Sequence, residues 1–398
     1  MKVFRSARVA SALCMATLGI AAISSTSNAG AASTKVKTVP IGMITSITGA
    51  YSVYGLPFEQ GAAYAVSQIN KTGFKVKGHK YKFKLTTEND NTDPATAVQK
   101  ATGLIDNQHI VAMFGPIGAQ GPAAEQITNA HHVLMFSSSS SVTATAGAPA
   151  NPLVFSTNGD PSQAGNFVFN AIKAFVPGAT SVALLSPSEQ TDAANVPLDT
   201  AAAAKDGLKF YNFSYPVGTT NLSSILTQLV ADNPSVVIMS NDSQDVAVQG
   251  PQLIAAGLPK TTPELLYAGG ISECATTATQ NPCIADPLVG ADLTSTSLSA
   301  ASEKWVTGME AFTKSSTLNP FVQASEWTYD FPFMLELAMQ KAGTVTNTAA
   351  IAKALHEVSR VGLVGNIKYN AANGCEFPLA FTYITTTGQE TTKSISSS

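Results

Sequence analysis

Three polar segments of the chain combine hydroxyl side chains, glycine and free backbone donors, which is the chemistry of a small-molecule binding site. They are residues 45–55, 115–121 and 137–141. The first segment contains two tyrosines, of which Tyr54 would offer an aromatic face, the second contains three glycines, and the third is a run of serines. Each follows an apolar stretch that predicts a buried strand. Ligands of open α/β sheets bind beyond the carboxyl ends of the strands, so these segments are predicted to wall one cleft.

The same segments do not match the common catalytic or cofactor patterns. Gly115, Gly118 and Gly121 are spaced GxxGxxG, which differs from the dinucleotide fingerprint, and no Lys-Ser or Lys-Thr pair completes a phosphate loop there. His131 and His132 have no partners at zinc-ligand spacing and are predicted to lie on the surface between a helix and a strand. No Gly-x-Ser-x-Gly sequence marks a hydrolase nucleophile. We therefore predict a binding protein and not an enzyme, with no cofactor and no metal.

Apolar runs alternate with amphipathic segments along most of the chain, which predicts βαβ units around parallel sheets. The first series has strands at Val39–Ile44, Lys82–Thr87, Ile110–Phe114 and Val133–Phe136, with helices at Phe58–Asn70 and Asp93–Asp106. The second has strands at Ser181–Leu185, Lys209–Ser214, Val236–Met239 and Leu265–Ala268, with helices at Ser162–Phe175, Ala193–Asp206, Leu222–Ala231 and Asp245–Ala256. The predicted fold class is α/β, with two doubly wound, Rossmann-like lobes.

The part of the chain beyond Pro287 is richer in helices than either series. It is predicted to contain a strand at Leu288–Leu293, helices at Ala300–Lys314, Phe321–Lys341 and Thr348–Glu357, and strands at Ile367–Asn370 and Leu379–Ile384. Such a tail is expected to cover the first lobe and then complete the second. Residues 32–157 and 290–366 are assigned to lobe 1, and residues 158–289 and 367–398 to lobe 2. Three hinge crossovers are expected near Ser156–Asp160, Gly290–Thr294 and Asn366–Asn370.

The N-terminus has the pattern of a secretory signal peptide. Lys2, Arg5 and Arg8 precede an uncharged stretch that is too short for a membrane span, and small residues suited to cleavage end the segment 1–31. A permanent anchor is the alternative interpretation. Removal of residues 1–31 takes three cations from a net charge of -3, so the exported chain is near -6. That net charge predicts no attraction to nucleic acid or to anionic lipid.

Three of the four cysteines lie beyond this segment, and their spacing suggests one disulfide. Cys274 and Cys283 flank a loop with a proline, and in an oxidising compartment this near pair is the natural bridge. Cys375 is then expected to be free. A zinc site would need more ligands than these two thiols, and no histidine lies beside them.

Short motifs recur along the chain in a recognisable order. They are Ile41-Gly42, Thr48-Gly49, Tyr54-Gly55, Gly61-Ala62, Ile69-Asn70, Asn89-Asp90, Asp93-Pro94, Ala97, the Gly115 segment, Leu134-Met135, Ala256-Gly257-Leu258, Tyr329-Asp330 and Ala342-Gly343. In this order and spacing the chain resembles the leucine/isoleucine/valine-binding proteins of the type I periplasmic binding-protein superfamily. The resemblance covers nearly the whole exported chain, and it implies two lobes that close on a ligand.

The resemblance also implies which residues hold the ligand. A carboxylate would be bound after the third and fourth strands, at Gly118, Ala119, Gln120, Ser139 and Ser141. Amino-acid binders of the family have serine where this chain has Ala119, and a glutamate for the ligand ammonium where it has Gly270. Glu273, three residues further on, is the alternative anionic partner. Two second-lobe tyrosines of the family fall near Thr191 and near Asp242 or Ser243.

The resemblance implies the capture subunit of an ABC importer, placed in the periplasm or on the outer face of the cell envelope. Its partners would be a small-molecule ligand, a permease and an ATPase, and the protein itself is expected to be monomeric. Without a glutamate at Gly270, an α-amino acid would bury its cation unpaired, which is unfavourable. A small organic acid or amide is therefore the expected ligand, and branched-chain amino acids are the alternative. A sensory receptor of the same fold is the competing class of protein.

Overall fold

The computed structural model describes most of the chain beyond the N-terminal segment. The described residues are 35–118, 120–137, 151–157, 164–188, 190–216, 218–239, 243–266, 274, 280–285, 300–314, 328–363, 365–376 and 379–395. Val36–Ser398 forms one compact unit. In the described part of the chain, no helix is long and apolar enough to cross a membrane.

The first lobe is built on a six-stranded sheet in the order β2-β3-β1-β4-β5-β6. Its strands are β1 (Lys37–Thr45), β2 (Phe74–Val76), β3 (His79–Asn89), β4 (Ala112–Phe114), β5 (Leu134–Ser137) and β6 (Val154–Ser156). All neighbours pair in parallel except β2, which forms an antiparallel hairpin with β3. The connecting helices are α1 (Ser52–Thr72), α2 (Pro94–Gln108) and α3 (Gln120–Ala130).

The second lobe is built on a seven-stranded sheet in the order β16-β15-β11-β10-β9-β7-β8. Its strands are β7 (Ser181–Pro187), β8 (Lys209–Tyr215), β9 (Val236–Met239), β10 (Glu264–Leu266), β11 (Cys283–Ala285), β15 (Leu379–Ile384) and β16 (Glu390–Ile395). Its helices are α4 (Ala164–Phe175), α5 (Gln190–Lys205), α6 (Ser223–Ala231) and α7 (Ser243–Ala255). The two lobes on separate, largely parallel sheets confirm the predicted α/β class.

The helical tail packs against the long helix of the first lobe. Its helices are α8 (Ala300–Thr313), α9 (Phe331–Ala342) and α10 (Thr348–Leu355), and α8 and α9 both pack against α1. A small three-stranded sheet follows, formed by β12 (Arg360–Gly362), β13 (Gly365–Tyr369) and β14 (Cys375–Glu376).

The third crossover falls later than the sequence predicts. Residues 366–370, the predicted crossover, lie in or beside β13, which pairs with β12 and β14 and not with the second sheet. The amide of Asn373 donates to the carbonyl oxygens of Asn151 and Val154 at 2.8 and 2.9 Å, which ties this segment to the end of the first sheet. The chain therefore reaches the second sheet only after Glu376.

The helix predicted at Phe321–Lys341 is interrupted at Asp330 in its described part, with helical residues at 328–329 and from Phe331 onward. Helix α9 begins at Phe331, with Asp330 at its N-cap and Pro332 in its first turn. Proline has no backbone N–H to continue a helix from the preceding turn, so a new helix begins here. Residues 321–327 and the predicted strand at Leu288–Leu293 lie outside the described residues.

The cysteines pair as the sequence suggests. Cys274 and Cys283 form a disulfide, and Cys283 is the first residue of β11. Cys375 is a buried free thiol in β14. Burial raises the pKa of the Cys375 thiol well above its usual range, which makes it an unreactive part of the core.

Candidate functional site

The carboxyl edge of the first sheet brings the polar segments together. Strands β1, β3, β4 and β5 run in parallel, so the residues that follow them meet at one edge. Strand β1 lies between β3 and β4, and the chain therefore changes direction across the sheet at β1. In open α/β sheets the ligand crevice forms at this reversal.

A buried carboxylate joins the loops after β1 and β3. The Ser46 hydroxyl donates to Asp90 Oδ1 at 2.6 Å, and the backbone N–H of Thr92 donates to the same oxygen at 2.9 Å. Asp90 is fully buried, and its Oδ2 has no hydrogen-bond partner among the described residues. A half-satisfied buried carboxylate is unfavourable, and such groups concentrate where a fold holds a functional loop in place.

The loop after β1 is held by its neighbours along its length. Thr45 Oγ1 donates to the carbonyl of Gly55 at 3.0 Å, and the backbone N–H of Tyr51 donates to Thr92 Oγ1 at 3.1 Å. A Cβ at Gly55 would overlap the Ser46 carbonyl, so glycine is required for this close approach. These contacts place two half-buried tyrosines, Tyr51 and Tyr54, at the start of α1.

The glycine segment after β4 passes directly beside this loop. The Ser137 hydroxyl, at the end of β5, donates to the carbonyl of Pro116 at 3.0 Å. Gly118 has a left-handed φ of 61°, and the Tyr51 ring covers its Cα. A Cβ built at Gly118 would lie 2.5 Å from Tyr51 Cε2 and 3.0 Å from Gln120 Oε1. Tyr51, Gly118 and Gln120 therefore form one surface. We call these three residues and Ser137 the strand-end site.

The amide of Gln120 is a buried polar group of the strand-end site. Gln120 is the first residue of α3 and only 1% exposed. Its Oε1 is buried and accepts no hydrogen bond from the described residues. Helix N-termini also carry backbone N–H groups without intrahelical acceptors, and these favour anionic groups. The site can therefore donate through the start of α3 and accept through Gln120.

The structure brings together only part of the set of site residues inferred from the sequence. Gly118 and Gln120 lie in the strand-end site, and Tyr54 packs against the core one helical turn from Tyr51. Thr191 lies in the first turn of α5. The remaining six lie outside the described residues: Ala119, Ser139, Ser141, Asp242, Gly270 and Glu273.

The sequence analysis placed Ser46 and Tyr51 in the 45–55 segment at this edge but did not single them out as site residues, and it missed Asp90. Tyr51 lies in a segment that the sequence singles out, but nothing in its spacing distinguishes it from Tyr54. Asp90 follows Asn89 directly after a strand, and a carboxylate at a strand end is the signal that could have identified it.

Other candidate chemistry is not assembled in the described part of the chain. No group of three His, Cys, Asp or Glu side chains that could hold a metal occurs among the described residues. His131 and His132 are exposed in the turn between α3 and β5, which confirms the predicted surface position. At the corresponding edge of the second sheet, Ser186 is buried at the end of β7, and its hydroxyl has no partner among the described residues.

Replacing Gly118 by alanine should destabilise the protein through two effects that a control can separate. Alanine at a left-handed φ is strained, and its Cβ would also collide with the Tyr51 ring, so we expect a loss of about 2–3 kcal/mol in urea unfolding. Gly207→Ala is the matched control, because Gly207 has a φ of 70° but no atom within 4 Å of its Cβ position. Equal losses in the two variants would show that Tyr51 packing on Gly118 contributes nothing.

Comparisons with known proteins match most of the chain. The family model described as "Periplasmic binding protein" matches residues 38–387. No curated protein matches. Solved structures with a similar fold include a leucine-binding protein from Thermotoga maritima, with a TM-score of 0.72 and 16% identity over 90% of this chain and 98% of that one.

Two further structures were solved with a ligand. A solute-binding protein of an ABC transporter from R. palustris, in complex with benzoate, has a TM-score of 0.69 and 16% identity over 90% of this chain and 96% of that chain. A branched-chain amino acid transporter substrate-binding protein from Streptococcus pneumoniae, in complex with isoleucine, has a TM-score of 0.68 and 16% identity over 90% and 99%. At this level of identity the similarity concerns the fold.

Proposed function

Because the chain belongs to the periplasmic binding protein family, we propose that it is the solute-binding subunit of an ABC importer and captures a small organic acid or amide between its lobes. The family supports a binding role and not a catalytic one. A permease and an ATPase would be its membrane partners, and export would place it in the periplasm or on the outer face of the envelope. The lobes would close on the ligand as a monomer.

The observation that carries the ligand class is the unpartnered acceptor of the strand-end site. Gln120 Oε1 is buried beside Gly118, so a bound molecule gains most if it offers an N–H or O–H at this point. The start of α3 favours an acceptor or a negative group on the same molecule. A primary amide, a hydroxy acid or a protonated acid has both properties.

An amino acid ligand would also need an anionic partner for its ammonium group, and the sequence provides this partner less clearly. An ammonium buried without an anion is strongly unfavourable, and Gly270 stands at the family's glutamate position. The isoleucine complex of the pneumococcal protein and the benzoate complex of the R. palustris protein illustrate the two ligand classes on one fold. We place acids and amides first and branched-chain amino acids second.

A thermal-shift screen of amides, aliphatic acids, aromatic acids and amino acids, followed by calorimetry, tests this proposal. A specific ligand at 100 times its dissociation constant should add about 2.7 kcal/mol to the free energy of unfolding. We expect an amide or hydroxy acid to stabilise the chain, and Gln120→Ala to weaken that binding at least tenfold, since one buried hydrogen bond is lost. Gln389→Ala, at an exposed site, is the matched control and should bind normally.

Two outcomes would count against the proposed ligand class. Tight binding of leucine or valine that is abolished by removal of the amino group would show that an ammonium partner exists, and Glu273→Gln would then test whether this residue supplies it. Recovery of chemically altered ligand after incubation would instead show an enzyme. Stabilisation by acids that is unchanged in Gln120→Ala would show that the strand-end site is not the binding site.

A further inference from the structure

The positive charge of the chain is unevenly distributed, although the chain as a whole is acidic. Six of the 23 Lys and Arg residues fall between residues 71 and 84, whereas no Asp or Glu occurs between Glu59 and Glu88. This stretch covers the end of α1, strand β2 and the first half of β3. A net charge near -6 for the exported chain therefore conceals one strongly basic region.

Four of these lysines share one face of the β2–β3 hairpin. Side chains alternate along a strand, so Lys80, Lys82 and Lys84 of β3 point to the same side of the sheet. Lys75 of β2 is the direct cross-strand partner of Lys80 and joins that side. The other side carries Phe74, Val76 and Phe83, which are buried in the core. We call Lys75, Lys80, Lys82 and Lys84 the lysine face.

The charges of the lysine face are not neutralised by the carboxylates of the described residues. None of the four ammonium groups forms an ion pair with a carboxylate of the described residues. Lys84 Nζ donates to the neutral amide of Gln108 at 3.3 Å. Glu88, the next carboxylate along β3, pairs with Lys100 at 2.8 Å. The four positive charges are therefore available to an external anion.

The arrangement is not explained by the needs of the fold. Like charges directly opposite each other on paired strands are destabilising, and Lys75 faces Lys80 in this way. Lysine on an edge strand prevents pairing with another sheet, which could account for Lys75 on β2. Lys82 and Lys84 lie on β3 beyond the three residues that pair with β2, and there the Asn70 amide already caps the outer edge at Phe83, at 2.8 and 2.9 Å.

We propose that the lysine face is a docking surface for a bilayer rich in anionic phospholipid headgroups. All four cations are lysines, which act as hydrated point charges and suit a diffuse anionic surface better than a single phosphate that needs bidentate contacts. The rest of the chain is acidic, so electrostatics would orient this face toward the bilayer.

The surface is separate from the strand-end site. Lys84 lies five residues before Asn89, the last residue of β3, which corresponds to about 17 Å along the strand. An occupied ligand cleft and a bound bilayer are therefore compatible. The inference goes beyond the proposed function, because it does not depend on which ligand the protein binds. It rests only on the placement of the protein outside the cytoplasm.

Co-sedimentation with lipid vesicles tests the docking surface. Mature protein is mixed with vesicles of phosphatidylcholine alone or with about one third phosphatidylglycerol, at low and at physiological salt. We expect binding only to the anionic vesicles, weakening as salt rises. Each lysine near an anionic surface strengthens binding about fivefold, so changing all four to glutamine should reduce binding roughly a hundredfold or more.

Matched variants separate a docking role from a general effect of charge. Changing four exposed, dispersed lysines, Lys205, Lys260, Lys304 and Lys353, to glutamine removes the same charge and should leave most binding intact. Lys75→Gln combined with Lys80→Gln should weaken vesicle binding while raising the unfolding midpoint, because the cross-strand repulsion is removed. That opposite pair of effects would not follow from a purely structural role.

The proposal is overturned if the parent protein does not distinguish the two kinds of vesicle, or if the dispersed variant loses as much binding as the lysine-face variant. Binding to soluble polyphosphate without binding to phosphatidylglycerol vesicles would also overturn it, in favour of a soluble polyanion. Ligand stabilisation is measured on the same variants. If it survives while vesicle binding is lost, the docking surface and the solute site are independent.

Discussion

Replacing Asp330 by alanine is expected to lower the free energy of unfolding by about 3–5 kcal/mol, the loss that follows removal of one partner from a buried ion pair. Asp330 is fully buried. Its carboxylate accepts from Arg360 Nε at 3.0 Å and from the backbone N–H of Leu363 at 2.6 Å, and it packs on Gly362. Without it, the Arg360 guanidinium, which lies 4.0 Å from the Phe333 ring centroid, would remain largely buried beside a polar gap.

Urea unfolding of Asp330→Ala and of an exposed control measures this effect. Glu357→Ala removes an ion pair with Lys341 whose side chains are about half exposed, and such pairs contribute about 0–1 kcal/mol. Asp330→Asn keeps the shape but removes the charge, so it should fall between the parent and the alanine variant. A loss from Asp330→Ala no larger than that from Glu357→Ala would mean that the buried pair does not hold the β12–β13 hairpin to α9.

This ion pair also illustrates what the sequence could not predict. The continuous apolar run correctly predicted Val236–Met239, and the Asp93-Pro94 signal correctly placed the start of α2, where Asp93 accepts from the Thr96 N–H at 2.7 Å. Both features are set by neighbours along the chain. The contacts of Asp330 with Arg360 and Leu363 join residues some thirty positions apart, and no local pattern reveals them.

Short strands were missed for a related reason. Strands β2, β6 and β11 have three residues each, too few for alternation to be distinguished from chance, whereas β4 and β10 are equally short but lie in longer apolar runs that were predicted. Strand β16 is mostly polar and exposed, so its sequence does not stand out as a strand. It forms because β15 offers a partner along Leu379–Ile384, which is a tertiary contact.

The candidate site shows the same division between local and distant information. Glycine and serine segments at strand ends were visible in the sequence, and Gly118 and Gln120 do meet at the carboxyl edge. The packing of Tyr51 on Gly118 joins two loops more than sixty residues apart in the chain. Only that contact distinguishes Tyr51 from Tyr54 as a site residue. The two side chains are identical, and they differ only in their direction at the start of α1.

Glu264 is an acidic residue for which the structure implies a strong pH dependence of stability. It begins β10, an interior strand, beside Val237 of β9 and Cys283 of β11. It is fully buried, and neither carboxylate oxygen has a hydrogen-bond partner among the described residues. Burial raises its pKa from 4.5 to about 8, because the charged form would have to lose its hydration without a counter-ion.

Such a shift makes the folded state less stable as the pH rises. Below the unfolded pKa of 4.5, the carboxyl is protonated in both states and folding is not penalised. Between that value and about 8, unfolding releases a proton, and stability falls by about 1.4 kcal/mol per pH unit. The contribution of this group should therefore fall by about 3–4 kcal/mol between about pH 5 and about pH 8.

Glu264→Gln should remove this dependence and stabilise the protein by about 3 kcal/mol at about pH 7, since the amide has a similar shape but no proton to lose. Urea unfolding at several pH values from about 5 to about 8 measures the difference between the variant and the parent, which cancels the other titrating groups. Glu390→Gln, at an exposed position of β16, should change stability by less than about 0.5 kcal/mol. A constant difference between Glu264→Gln and the parent across this pH range would contradict a raised pKa at Glu264. A difference that grows as the pH rises would show that the fold keeps a neutral carboxyl inside its second sheet.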